Sequence, residues 1–174
     1  MTTAWSFSSE RLRARPMAHG DEPAMRQVYG DPVSMRFVGD GTPITEAEIA
    51  LWIERTRGNF LTRGYGMWAL VERSSGATVG FMGIVHPGDP PADEPELKYA
   101  FLRSRWGEGL ATEAGRACVE HARADLGLER LIATTDPEHV VSHRVLARLG
   151  FTRAPSRFDE DGETRVFELL LARD

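Results

Sequence analysis

One run near the middle of the chain constrains the fold more than any other segment. Residues 96–122 read ELKYAFLRSRWGEGLATEAGRACVEHA, in which a strand pattern ends at Leu102 and two glycines, Gly107 and Gly109, open a helix. Glycine allows backbone amides to turn inward there, because no Cβ stands in the way. The first amides of a helix have no partner within it and donate readily to phosphate oxygens. The run therefore predicts a strand–loop–helix junction that binds a phosphate group.

The helix that follows this turn has a face of small side chains, which allows close approach to a sheet. These residues are Ala111, Ala114, Ala117, Cys118 and Ala122. No lysine follows the second glycine, so the turn is not a P-loop. Thr112 stands where a dinucleotide-binding turn needs glycine or alanine. A glycine-rich helix start without a ligand remains the alternative at this point.

The remaining pattern predicts one mixed α/β domain over residues 1–174. The predicted strands are residues 12–15, 65–72, 78–86, 96–102, 130–135, a strand from 151 onward, and 163–171. The predicted helices are residues 21–29, 45–63, 110–126 and 140–149. Strands meet helices in both hairpin and crossover patterns. We therefore expect a central mixed, mostly antiparallel twisted sheet of about six to seven strands, flanked by about four helices.

Composition and charge exclude several classes of protein. The net charge is −5, which argues against non-specific binding to nucleic acid. Cys118 is the only cysteine, so no intramolecular disulfide forms, and Lys98 is the only lysine. The first residues lack the apolar core of a signal peptide, and no apolar run is long enough to span a bilayer. We expect a soluble, cytoplasmic protein with neither a nucleic-acid nor a membrane partner.

Four ordered segments together cover almost the whole chain. They read ERLRARPM, GYGMWALVERSSGATVGFMGI, ELKYAFL with WGEGLATEA, and GLERLIATTDPEHVVSHRVLARLGF. This set resembles the GNAT N-acetyltransferase superfamily, specifically its RimJ/RimL-like branch, in which ELGYxL is followed by WGKGYATEA. The resemblance implies a single GNAT-type domain that takes acetyl-CoA as co-substrate, uses no metal, and transfers the acetyl group directly to a primary amine without an acyl-enzyme.

The resemblance also implies the residues that contact the donor. They are Phe101, Leu102, Arg103, Arg105, Trp106, Gly107, Glu108, Gly109, Leu110, Ala111, Thr112, His139 and Ser142. In the family, the strand before the phosphate loop diverges from its neighbour, and its amides, here those of Phe101 and Leu102, line the pantetheine and the thioester carbonyl. Two positions depart from the pattern. Ser104 stands where Gln or Arg is usual, and His139 replaces the asparagine of DPEN.

Ser142 is the predicted proton donor to the leaving thiolate. It matches the serine of the family pattern NxxSxRVLxKLGF, here HVVSHRVLARLGF. Positions 142, 145, 146 and 149 share one helical face, and the last three are apolar. Ser142 therefore lies at the start of the helical face that is expected to point into the protein. The alternative is a serine near a helix N-terminus that hydrogen-bonds a local amide.

Glu96 is the predicted general base, acting through water, because it matches the glutamate of ELGY. Lys98 lies on the same strand face, where the family commonly has glycine, and its charge would weaken Glu96 as a base. An ion pair at the strand end is the alternative. His86, His139 and His143 are the other candidate bases.

The acceptor could be a protein N-terminal α-amine or a small-molecule amine. Residues 31–45, the second predicted helix and the loop 86–95 are expected to border its entrance. Their acidic residues suit a cation: Asp40, Glu46, Glu48, Asp89, Asp93 and Glu94. A homodimer is compatible with the sequence. Two alternatives remain: a catalytically silent acyl-CoA-binding or regulatory module on the same fold, and a phosphate-binding domain of another kind.

Overall fold

The computed structural model describes residues 6–87 and 93–171. Eight strands of these residues form one sheet in the order β1-β2-β3-β4-β5-β6-β8-β7. The strands are β1 Phe7–Ser8, β2 Leu12–Pro16, β3 Met67–Glu72, β4 Thr78–Val85, β5 Glu96–Phe101, β6 Arg130–Thr135, β7 Thr152–Asp159 and β8 Gly162–Leu170. The helices are α1 Glu22–Tyr29, α2 Pro32–Met35, α3 Glu46–Arg63, α4 Leu110–Ala124 and α5 Val140–Arg148, with a 3₁₀ turn at Arg103–Arg105.

The expected mixed, mostly antiparallel sheet is confirmed, since β5 and β6 form its one parallel pair among the described strands. The sheet has one strand more than expected, because the two-residue β1 is too short to leave a sequence pattern. Helix α2 was also missed. Pro32 was interpreted as the end of α1, but it begins a new helix, whose N-terminus is capped by Asp31 accepting from the Val33 amide at 2.8 Å.

The sheet separates two apolar clusters. Helices α4 and α5 cover one face, over residues such as Trp68 and Leu97, and helices α1 to α3 cover the other, over residues such as Phe81. Cys118 lies in the first cluster, as predicted, and burial raises the pKa of its thiol to about 12. Side chains alternate along β5, so Leu97 and Tyr99 face α4 and α5. Lys98 therefore faces the side of α1 to α3.

Strands β5 and β6 diverge soon after they meet. Glu96 lies opposite Ile132, and the Ile132 amide donates to the Pro95 carbonyl at 2.9 Å. β5 then continues to Phe101 and β6 to Thr135 with no further pairing between them. A gap consequently opens through the sheet towards the carboxyl ends of these two strands.

The N-terminus of α3 is held by the predicted capping signal. The Thr45 hydroxyl accepts from the Glu48 amide at 3.3 Å, and the Glu48 carboxylate accepts from the Thr45 amide at 2.7 Å. The pair satisfies two backbone donors that the helix cannot bond internally.

We expect Thr45→Ala to lower the free energy of unfolding by about 1 kcal/mol, because it removes one side of this reciprocal cap. Thr62→Ala is the matched control on the same helix. The Thr62 hydroxyl only bonds the Gly58 carbonyl, so its loss should cost less than about 0.5 kcal/mol. Urea denaturation of both variants measures the difference. Equal losses would contradict the capping role.

Candidate active site

The loop between β5 and α4 has the predicted glycine turn. Gly107 and Gly109 have φ of 80° and 78°, which is the left-handed region that disfavours side chains, and Gly109 caps α4. The Glu113 amide donates to the Gly109 carbonyl at 3.0 Å. The amides of residues 110–112 form no hydrogen bond with any described residue. Three backbone donors therefore remain for a ligand at the positive end of the helix dipole.

Arg105 stabilises this loop through two ion pairs. Its guanidinium contacts Glu72 at the end of β3 at 2.5 Å, and it bonds Glu108 in the turn at 3.0 Å. Arg105, with help from the Ser75 hydroxyl, lowers the pKa of Glu72 to about 2. The predicted phosphate contact of Arg105 would have to compete with two carboxylates. Arg103 is more available, because its nearest carboxylate, Asp31, lies 3.9 Å away.

Trp106 completes the loop and is half exposed. Its indole N–H donates to the Phe101 carbonyl at 3.0 Å, which holds the end of β5 against the turn. The side chain of Glu108 is engaged with Arg105, so any donor contact that Glu108 makes must come from its backbone.

A shallow depression of about 560 Å³ borders the first turn of α4 and is rich in arginine. Arg11 there bonds Glu113 at 2.6 Å, whereas Arg116 and Arg148 make no ion pair within residues 6–87 and 93–171. These arginines were not among the donor-contact residues predicted from the sequence. Only the packing of α5 beside α4 brings them to one site, where they make the surroundings of the phosphate loop more favourable for an anion.

The amides of β5 point alternately to β4 and to the gap. The Leu102 amide donates to the Val79 carbonyl on β4 at 2.9 Å, so the ligand contact expected of it is corrected: this donor is already used by the sheet. Because successive strand amides point to opposite sides, the Phe101 amide points into the gap. Phe101 remains the predicted backbone donor, and the Leu102 side chain packs with both apolar clusters.

Ser142 lies in the first turn of α5 and is buried. Its hydroxyl is 2.8 Å from the Tyr99 hydroxyl on β5, so its partner comes from another element and not from a local amide. Burial raises the pKa of Tyr99 to about 12, which keeps the phenol protonated near neutrality. Strand alternation within ELKY could have placed Tyr99 on the side of α5, but no sequence pattern indicates its bond to Ser142.

Glu96 is buried where the gap begins. Its carboxylate forms an ion pair with Lys98 and accepts from both the amide and the hydroxyl of Thr134, with 3.1 Å to the amide. The Lys98 ammonium also donates to the Thr134 hydroxyl at 3.0 Å. The ion pair anticipated as the alternative is therefore present. It lies across the mouth of the gap on the face of α1 to α3.

The candidate histidines are all engaged. His139, before the first turn of α5, stacks on Phe37 with ring centroids 4.6 Å apart, and burial lowers its pKa, so the ring is neutral near pH 7. His86 contacts Tyr65 and Asp93, each at 2.7 Å. The Nε2 of His143 lies 2.9 Å from the Thr135 hydroxyl.

A cleft of about 590 Å³ opens on the same side as Lys98. Lys98 and Thr134 lie at its floor, between the segment that follows α2 and the β7–β8 turn. Among the described residues, five carboxylates line it against two cations, Arg36 and Lys98. The acidic residues are Asp40, Asp136, Asp159, Asp161 and Glu163. The cleft is therefore negative on balance and suits a cationic group.

Of the acidic residues expected to border the acceptor entrance, Asp40 lines this cleft. The other described members of that set make contacts elsewhere. Glu46 pairs with Arg26, Glu48 caps α3, Asp93 contacts His86 and Arg63, and Glu94 pairs with Arg130 and Arg157. Asp89 lies outside the described residues. The acids of the β7–β8 turn were missed because they are distant in sequence from every predicted site segment.

A helix start with three unpaired amides on one face of the sheet, and an acidic cleft on the other face beyond a gap, form an arrangement suited to an enzyme with two substrates. The chain matches the family model described as an acetyltransferase (GNAT) domain over residues 11–152. The match covers most of the chain, so the chain belongs to the GNAT acetyltransferase family, and the protein is an acyltransferase.

Similar proteins agree with this assignment. The FsC-acetyl coenzyme A-N(2)-transacetylase of Aspergillus fumigatus is 28% identical over 177 residues, covering 92% of this chain and 74% of the relative. A crystal structure of an acetyltransferase from Agrobacterium tumefaciens superposes with TM-score 0.81 at 28% identity, over 97% of this chain and 96% of that one. The RimJ/RimL-like resemblance agrees with the fold of RimL, solved in complex with coenzyme A (TM-score 0.72, 17% identity, 94% and 96% coverage).

Among the described residues, no group of His, Cys, Asp and Glu side chains could hold a metal ion. None of the helices in the described part of the chain is both long and apolar enough to cross a membrane.

The Glu72–Arg105 contact predicts a pH dependence of stability. The folded pKa of about 2 lies below the ordinary 4.5, so the contact stabilises the fold fully above pH 4.5 and is lost as the pH falls towards 2. We expect Glu72→Gln to be less stable than the parent at pH 7, with the two urea midpoints converging as the pH is lowered. Glu160→Gln is the control, because the exposed Glu160 has no ion pair within the described residues. A deficit of Glu72→Gln that is constant from pH 7 to pH 3 would contradict the ionic origin.

Proposed function

We propose that this acyltransferase moves the acetyl group of acetyl-CoA to a primary amine by direct attack within a ternary complex. The observation that carries the proposal is the β5–β6 gap, which connects the phosphate loop on the face of α4 and α5 to the acidic cleft on the opposite face. Two substrates that approach from opposite faces of the sheet can meet only in this gap.

The donor fits the residues present. The free amides of residues 110–112 and the glycine turn would hold the diphosphate, and Arg116 and Arg148 make the same region basic. Arg103, with its charge only weakly engaged, is an additional candidate for a phosphate contact. Binding of coenzyme A by RimL, a protein of the same fold, supports this choice of donor.

The chemical steps are assigned to two side chains and one backbone amide. The Phe101 amide would stabilise the oxyanion that forms when the thioester carbonyl is attacked. Ser142 would donate its proton to the departing thiolate, and Tyr99 holds that hydroxyl in place at 2.8 Å. Glu96 would take a proton from the incoming ammonium, directly or through water. The placement of Ser142 and Glu96 on opposite faces of the sheet supports these roles.

The acceptor that fits the cleft is a cationic primary amine. Its five carboxylates would attract an ammonium ion, and the cleft opens to solvent between the segment after α2 and the β7–β8 turn. A protein N-terminal α-amine and a small-molecule amine both meet this description. A panel of both kinds, assayed by release of coenzyme A thiol, distinguishes them.

A second candidate function is a catalytically silent acyl-CoA-binding module. The observation in its favour is Lys98, whose ammonium fills the mouth of the gap and pairs with the proposed base. Tight binding of coenzyme A without thiol release for any amine would favour this module over the enzyme.

The phosphate-loop assignment predicts that Gly109→Val weakens coenzyme A binding by more than about tenfold, because valine disfavours the left-handed backbone that aims the helix amides. Gly127→Val is the matched control. Gly127 also has positive φ, 63°, but lies beyond the other end of α4. Calorimetric titration with coenzyme A measures both variants. Unchanged affinity in a folded Gly109→Val protein would remove the loop from donor binding.

The role of Ser142 predicts a loss in kcat without a loss in donor affinity. We expect Ser142→Ala to lower kcat by about 10²-fold while the Kd for coenzyme A changes less than about twofold. Ser8→Ala is the control, because Ser8 is exposed on β1 and lines neither the depression beside α4 nor the acidic cleft, so this variant should keep the parent kcat. A Ser142→Ala protein with the parent kcat would exclude the serine from proton transfer.

A further inference from the structure

Lys98 is unusual in both number and position. It is the single lysine of the chain, and its ammonium lies at the mouth of the β5–β6 gap, where the cleft for the acceptor begins. The side chain is held by Glu96 and Thr134 but is still 41% exposed. A primary amine of the protein itself therefore occupies the place where an acceptor amine must arrive.

The groups that act on an acceptor amine surround Lys98. Glu96, the proposed base, is already in contact with its ammonium. Ser142 and Tyr99 approach the gap from the other face of the sheet. A thioester that enters from that face with its sulfur beside Ser142 would direct its carbonyl carbon into the gap, on whose far side Lys98 lies. The flexible four-carbon stem of lysine allows the nitrogen to adjust to that carbon.

We infer that Lys98 is a self-acetylation site, modified by the acetyl-CoA bound to the same molecule. This inference rests on the proposed function, because it uses the same donor and the same groups. It assigns to Lys98 a modification that occurs when no other amine occupies the cleft.

The step balances with acetyl-CoA as the only co-reactant. The Lys98 ammonium gives one proton to Glu96, and the nitrogen lone pair forms a bond to the thioester carbonyl carbon. The C–S bond breaks, and its electron pair leaves with the sulfur. The thiolate takes a proton from Ser142, which recovers one from the second N–H of the tetrahedral nitrogen. The products are Nε-acetyl-lysine, coenzyme A thiol and one proton that passes from Glu96 to solvent.

The experiment uses the full chain, incubated with acetyl-CoA and no acceptor, followed by intact mass and peptide mapping. The chain has two kinds of amine, Lys98 and the terminal α-amine. An unassisted reagent favours the α-amine, whose pKa is about 8 against about 10.4 for lysine. We expect the label on Lys98 to exceed that on the α-amine. The fraction of Lys98 labelled per unit time should saturate with increasing acetyl-CoA. The same fraction should not depend on protein concentration, because the reaction takes place within one molecule.

A short thioester, N-acetylcysteamine acetyl ester, separates bound-donor transfer from simple chemical reaction. At equal concentration we expect acetyl-CoA to label Lys98 at least about tenfold faster, because binding fixes the donor in position. Self-acetylation would be overturned if both thioesters labelled Lys98 at equal rates, or if the label were confined to the α-amine. It would also be overturned if the fraction of Lys98 labelled per unit time rose with protein concentration.

Two variants complete the test. Lys98→Arg keeps the positive charge but removes the acetylatable nitrogen, so the lysine label should disappear. Arg55→Lys adds an exposed reference lysine on α3, which should stay unlabelled while Lys98 reacts. Equal label at both lysines would contradict the inference.

The inference and the proposed function can fail separately. The same protein is assayed for thiol release with the amine panel. Release with an external amine, together with an unmodified Lys98, overturns self-acetylation and leaves the proposed function standing. No coenzyme A binding and no release overturn both. When both hold, a good acceptor should slow labelling of Lys98 by competing for the donor.

Discussion

The end of pairing between β5 and β6 is the constraint on which the rest of the structure depends. Once the strands diverge beyond Glu96 and Ile132, backbone groups on both edges need new partners. The Glu96 carboxylate supplies one by accepting the Thr134 amide across the opening, and Lys98 balances its buried charge. The Phe101 amide is directed into the opening and is left for a ligand. The gap is therefore a break in the sheet, and in the proposed reaction it is where the two substrates would meet.

Features set by short stretches of sequence were predicted well. The α4 junction needs two left-handed glycines, the start of α3 needs its capping box, and the amphipathic stripe of α5 places Ser142 inward. Each of these depends on residues within about two helical turns of one another, so local rules of backbone and side-chain chemistry are sufficient. Helix α2 was missed because the pair Asp31-Pro32 is typical both of the end of one helix and of the beginning of the next.

Features set by distant residues were not predictable from the pattern. Whether Arg105 bonds a phosphate or Glu72 depends on a strand 33 residues away in sequence. The bond between Tyr99 and Ser142 spans 43 residues, and the cleft takes its negative charge from a β7–β8 turn that no motif marks. Resemblance to a family names a motif residue but does not reveal which contacts that residue already makes, as the Leu102 amide demonstrates.

The placement of Ser142 and Lys98 on opposite faces of one sheet also bears on the kinetic order of the proposed reaction. In the proposed reaction the nucleotide and the amine enter from opposite faces of the sheet, so neither substrate blocks the entrance of the other. We therefore expect the two substrates to bind in random order. An inhibitor that joins both substrates would then have to span the sheet through the gap between β5 and β6.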